Sequence, residues 1–419
     1  LLSISRMRER PDLGSFAYGP TAVDYERRAD PAEVRAARAE RARAALADSD
    51  CDALLLWKDE NVRFLSGLRA QIIQGKSALL NGCLLREDGA MALFLSGGEV
   101  DRARAAMPWI EEVHAIPIME ARGLIAGALE EVIAPTLDRL DLTRARLGVD
   151  ELAYAQVEAF ARVLPRVELA DGDRLMQSAR LVKDPGELAL MQEASAIAEA
   201  VTESAIASVR PGVREYDVVA EAMRTLYRLG GEAAHLATPF VASGEHMSPP
   251  NRFASDKLIR EGDLVFIDIG AMWNGYYADM GRTVVCGAPS RRQREVFTAV
   301  HRALEAAVRT MRAGATNDDV AAAVRAEGEA RGFGEDFLSL FIGHGVGMGA
   351  NEPPYVGETL PGAETVELRP GMTLAIEPLI WVPGVRGGAG VRLEDTIVVG
   401  EEGGVPLTRT GFDERLLLD

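Results

Sequence analysis

Two carboxylates open the search for chemistry. The run Leu264-Val-Phe-Ile-Asp268-Ile-Gly270 is an apolar strand with one acid, and Asp279 follows eleven residues after Asp268 on the return run Gly275–Val285. Between them stands Asn274-Gly275, a strong signal for a two-residue hairpin. Such a turn sets residue 268 across from 281, so Asp279 becomes a diagonal neighbour of Asp268 on the same face of the ribbon. Two ionised acids held together among aliphatics repel one another and lose hydration. A cation is the simple remedy; a solvated sheet edge is the alternative.

Three further segments favour the cation. Ile342-Gly-His344-Gly-Val-Gly347 sets a histidine among glycines, where backbone can approach closely and the imidazole can enter a cavity. Thr373-Leu-Ala-Ile-Glu377-Pro378 is an apolar strand ending in a carboxylate, and Val391-Arg-Leu-Glu394-Asp-Thr-Ile-Val carries one more acid among aliphatics. Asp268, Asp279, Glu377 and Glu394 with His344 make an oxygen-rich donor set. Such a set suits two divalent ions, Mn²⁺ or Fe²⁺ first, with Zn²⁺ or Co²⁺ as alternatives. Paired ions sharing carboxylates acidify a bridging water and polarise the bond to be cut.

The elements that must position these groups divide the chain into two. An arm of about 20 residues precedes a helix over Pro31–Leu46. Short β-rich runs then alternate with a helical one: 53–57, 78–85, 90–95, 113–117, helix 123–133 and 146–149, the grammar of a layered α/β domain. The polar patch Asp171–Arg174 marks a boundary near residue 175, giving domains 1–175 and 176–419. In the second, a helix from Pro185 to Val209 leads into Arg210-Pro-Gly-Val and a new helix ending at Gly230. The same order returns about 102 residues later at Arg312-Ala-Gly-Ala, which predicts two related halves with a site between them.

Composition narrows the function classes. Of 419 residues, 46 are basic and 64 acidic, a net charge of −18 that argues against nucleic acid as a partner. No apolar stretch is long enough to span a membrane. Three scattered cysteines, Cys51, Cys83 and Cys286, offer no CxxC pair, which excludes a thiolate metal site and fits a reducing cytoplasm.

Asp, a second Asp eleven residues on, Gly-His-Gly-Val-Gly, Ile-Glu-Pro and Arg-Leu-Glu-Asp-Thr, in that order, resemble the creatinase/prolidase/methionine-aminopeptidase family, in its Xaa-Pro dipeptidase/creatinase-like branch. The resemblance covers about Arg180–Val399, and the preceding domain is similar by pattern to the family's N-terminal domain. It implies an α/β N-terminal domain and an α+β pita-bread catalytic domain with an internal pseudo-twofold repeat. By the same resemblance, Asp268 chelates one ion, His344 and Glu377 the other, Asp279 and Glu394 bridge, and the chain forms a homodimer.

The resemblance breaks at two supports. Xaa-Pro peptidases carry two further histidines; here Asn351 and Asn251 stand at those places, and an amide donates a hydrogen bond without carrying a proton at neutral pH. His246 and His235 are candidate replacements, while His114 and His301 read as structural. The expected activity is dinuclear-metal hydrolysis of a C–N bond in a small molecule or dipeptide, with Glu377 shuttling the proton and the two asparagines orienting substrate. The alternatives are an Xaa-Pro dipeptidase proper, a lyase like the dimethylsulfoniopropionate lyase of this family, and a binding module. The lyase's tyrosine base has Ser339 in its place here.

Overall fold

The structure, a computed structural model, describes residues 29–69, 81–117, 122–236, 239–247, 253–334, 341–357 and 364–418. These form two compact units, Asp30–Arg180 and Leu181–Asp419. Residue 175, where the polar patch suggested a boundary, lies inside the helix Gly172–Leu181. Asp171 and Asp173 stand at that helix's start, where acids complement the amide dipoles, and the division between the units falls near its end, after Arg180.

In the first unit, six strands form a mixed sheet. Ala53–Leu56 is central, with Gly82–Arg86, Met91–Ser96 and Glu112–Ile116 on one side and Arg146–Val149 and Glu168–Asp171 on the other. The all-apolar Ala-Leu-Leu-Leu of the central strand is buried on both faces, as a covered sheet requires. Helix 123–133 begins at Arg122 and passes at Leu129–Ile133 into a π-helical turn before continuing to Arg139. Glu168–Asp171 escaped the sequence reading because its polar residues lack strand character.

The second unit contains the duplication. Helices Pro185–Ser208 and Glu215–Arg228 form one pair, and Arg291–Thr310 and Asn317–Ala330 form the other. The turns match: Gly212 and Gly314 both take positive φ, of 84° and 80°, and so do the terminating Gly230 and Gly332. Reciprocal capping contacts start three of the helices, between Asp184 and Glu187, Ser290 and Gln293, and Thr316 and Asp319.

Each helix pair covers its own strands. Ala198, Val201 and Leu226 pack with Val265 and Ile267, whereas Phe297, Val300 and Val324 pack with Leu374, Ile376 and Ile397. The strands are Phe240–Ser243, Leu264–Asp268 and Gly281–Val285 in one half. In the other, Glu352–Val356, Gly343–Gly345, Thr373–Ile376, Asp395–Val399 and Gly404–Pro406 lie side by side.

Candidate metal centre

The hairpin has the expected register. Asp268 pairs with Gly281, and Trp273 pairs with Tyr276 around Asn274 and Gly275, both of positive φ. Asp268 ends one strand and Asp279 lies just before its partner strand, where the ribbon passes from one three-stranded sheet to another. Thr396 fixes the second acid: its hydroxyl accepts from the Asp279 N–H at 2.9 Å and donates to the Asp279 carbonyl at 2.8 Å.

The other half supplies the remaining three groups. His344 pairs with Ala375, and Ile376 with Asp395, so Glu377 and Glu394 are the next residues on adjoining strands. The halves meet at Gly281, whose N–H and carbonyl both bond to the backbone of Glu394, at 3.2 and 3.0 Å. A side chain there would crowd the Glu394 carboxylate, with its Cβ 3.0 Å from Oε2, so glycine permits this approach.

The five predicted ligands thus converge. His344 Nε2 lies 3.7 Å from Asp279 Oδ2 and 3.6 Å from Glu377 Oε1. Potential donor atoms of Asp279, His344 and Glu394 all lie within 4.8 Å of one another, as do those of His235, Asp268 and Asp279. Every one of the five is at least nine-tenths buried. Asp268 Oδ1, Asp279 Oδ1 and Glu394 Oε2 are buried without a hydrogen-bond partner. Buried carboxylate oxygens left bare in this way fit a cation-binding role.

The electrostatics point the same way. Burial above all pushes the Asp268 carboxyl up to about 7, with Glu377 adding to the effect and Arg392 opposing it. Burial and neighbouring acids also hold Asp279 and Glu394 well above the ordinary carboxylate range. Four carboxylates face one guanidinium, that of Arg392, whose Nη1 lies 2.8 Å from Glu377 Oε2 and 3.7 Å from Asp268 Oδ2. Burial disfavours this guanidinium's charge, but the surrounding carboxylates more than offset it. Arg392 was not singled out from sequence; its one signal is a basic residue on the strand entering Glu394.

The other candidates separate. His235 is in the pocket, its Nε2 3.3 Å from Asp279 Oδ2, and burial above all, with the Arg392 guanidinium adding to it, lowers its pKa to about 3. His246 instead faces Glu215, with Nδ1 3.3 Å from the carboxylate, in a network with Ser243 and Ser255. The ring's partner is thus a buried acid outside the group of five converging side chains. Asn351 is exposed on the turn before Glu352–Val356, and Asn251 and Ser339 lie outside the described residues. His114 stacks on Phe94 and pairs with Glu112, and His301 meets the Phe412 ring edge-on, both structural roles.

Residues 189–401 match the model for metallopeptidase family M24, over the segment that carries all five converging side chains. The chain belongs to this family. Residues 38–182 match the creatinase/prolidase N-terminal domain, and together the two matches make the chain a metal-dependent hydrolase of two-domain, pita-bread architecture. A Xaa-Pro dipeptidase of Pyrococcus horikoshii is 30% identical over 86% of this chain and 93% of its own length. Another, of Pyrococcus furiosus, is 35% identical over 65% of this chain and 75% of its own. Among solved structures, a Xaa-Pro dipeptidase from Bacillus anthracis superposes with a TM-score of 0.76 at 27% identity, covering 90% of this chain and 98% of that one. The prolidase of Pyrococcus horikoshii gives 0.75 at 28% identity, over 90% and 99%. No helix among the described residues is long and apolar enough to cross a membrane.

Proposed function

We propose that this M24 member hydrolyses a C–N bond in a small molecule or dipeptide, using two divalent ions held by Asp268, Asp279, His344, Glu377 and Glu394. The observation carrying this reading is the convergence of those five buried side chains with three bare carboxylate oxygens between them. When bound, the ions supply a water acidic enough to attack near neutral pH and an electrophile for the scissile group.

The protein's own contribution is placement. Arg392 holds the outer oxygen of Glu377, which keeps the other oxygen turned toward His344. Glu377 is our candidate for carrying the proton from the attacking water to the leaving nitrogen. Asn351 and Asn251 are proposed to orient the substrate through their amides. The oxygen-rich donors favour Mn²⁺ or Fe²⁺ as native ions. A homodimer in the cytoplasm is the expected setting.

Xaa-Pro dipeptide hydrolysis is the second reading, favoured by the relatives that bear that name. The asparagines at the two positions of the peptidase histidines favour the broader one. Liquid-chromatographic assay of the Mn²⁺-loaded enzyme on Gly-Pro, Ala-Pro and a set of small amides and amidines separates them. Proline release, abolished by Asp279→Ala, establishes the dipeptidase; turnover confined to the non-peptide substrates establishes the specialised hydrolase. An unsaturated acid formed without uptake of water would contradict both.

A further inference from the structure

The two histidines of the pocket are wired in opposite senses. Nδ1 of His344 lies 2.9 Å from the carbonyl oxygen of Gly345, a contact that calls for a proton on Nδ1. Nε2 is then a bare lone pair facing Asp279 and Glu377. A metal-binding histidine needs this arrangement, its second nitrogen donating to an oxygen outside the site.

His235 shows the reverse. The backbone N–H of Gly270 donates to its Nδ1 at 2.9 Å, and only a lone pair can receive that bond. The single proton of the neutral ring is therefore on Nε2. That atom lies 3.3 Å from Asp279 Oδ2 and 3.6 Å from Asp268 Oδ1, on a side chain only 9% exposed. The placement is built into the backbone: the His235 N–H donates to the Gly270 carbonyl at 3.3 Å. A Cβ at Gly270 would sit 2.9 Å from His235 Nδ1 and 2.4 Å from the Ala278 carbonyl oxygen. Proximity alone would admit His235 as a ligand, since its donor atoms lie within 4.8 Å of those of Asp268 and Asp279. Ligation through Nε2 would move the proton to Nδ1 and set it against the Gly270 N–H.

We propose that His235 is a positioning residue rather than a sixth protein ligand: a neutral imidazole whose Nε2–H stands beside the Asp279 carboxylate, with Asp268 next to it, and orients these acids toward the ions. This rests on the two-metal reading above. It mirrors the usual carboxylate–histidine–metal relay, with the histidine outside and the carboxylates ligating.

The test uses the full-length protein as wild type, His235→Gln, which keeps a donor of similar reach, and His235→Phe, which keeps a ring without one. Bound Mn²⁺ is counted by elemental analysis, its affinity is measured by calorimetry, and the ligand set is read from the visible absorption of the Co²⁺-substituted protein. Both variants are expected to hold two ions per chain with wild-type Co²⁺ bands. His235→Phe should bind about 10-fold or more weakly, the usual effect of losing such a partner, with His235→Gln within a few-fold of wild type. Loss of one ion per chain in both variants, or shifted Co²⁺ bands, would make His235 a ligand and overturn the proposal. Unchanged affinity in His235→Phe would also overturn it. Less than one ion in the wild type would remove the two-metal reading itself, an outcome distinct from either.

Discussion

At the scale of single residues, the pocket stores electrostatic tension that protons or cations must relieve. The Asp268 carboxyl, raised to about 7 chiefly by burial, binds a proton in the folded protein well above about pH 4, where the unfolded chain loses it. Between those values the metal-free folded state holds more protons than the unfolded one, so its stability falls as pH rises toward about 7. Cations compete for the same oxygens and bind better once the protons are gone. The rise in melting temperature on adding Mn²⁺ should therefore be larger at about pH 8 than at about pH 5.5. An equal or smaller rise at the higher pH, measured by calorimetry, would contradict this picture. The ligand-type residues were legible in sequence because each acid stands out on an apolar strand and His344 stands between glycines. His235 and His246 were not distinguishable there, since only the bonds to Gly270 and Glu215 separate them.

At the scale of elements, close backbone approach explains the glycines around His344. A Cβ on Gly343 would lie 2.4 Å from the Ala375 carbonyl oxygen, and one on Gly345 would lie 2.2 Å from that of Pro353. Neither obstacle is a flexible side-chain end, so the sheet itself must shift to admit a methyl. Gly345→Ala should cost about 1–3 kcal/mol of stability and weaken metal binding, because His344 moves with its strand. Denaturant unfolding of the metal-free and Mn²⁺-loaded protein would measure both effects; a variant matching wild type in each would refute the role of this approach. The Asn274-Gly275 hairpin was readable to the residue because its turn chemistry sets register. Short pieces such as Ala233–Ala234 and Glu168–Asp171 were not, since neither length nor alternation marks them.

At the scale of the whole molecule, duplication is the organising fact. Two helix pairs with matching glycine turns each cover a set of strands, and the acids on those strands face one another where the sets meet at Gly281 and Glu394. The sequence repeat was legible because turn glycines and helix starts recur at one spacing. The meeting point was not, because it depends on a backbone bridge between residues 113 positions apart. A site assembled from both halves should also tie its stability to its ions, so chelation ought to lower the melting temperature of the whole protein. The two-metal centre itself is tested most directly by elemental analysis after loading with Mn²⁺ or Fe²⁺ and removal of free ion. Two ions per chain are expected, falling sharply in Asp279→Ala; fewer than one ion per wild-type chain would contradict the site described here.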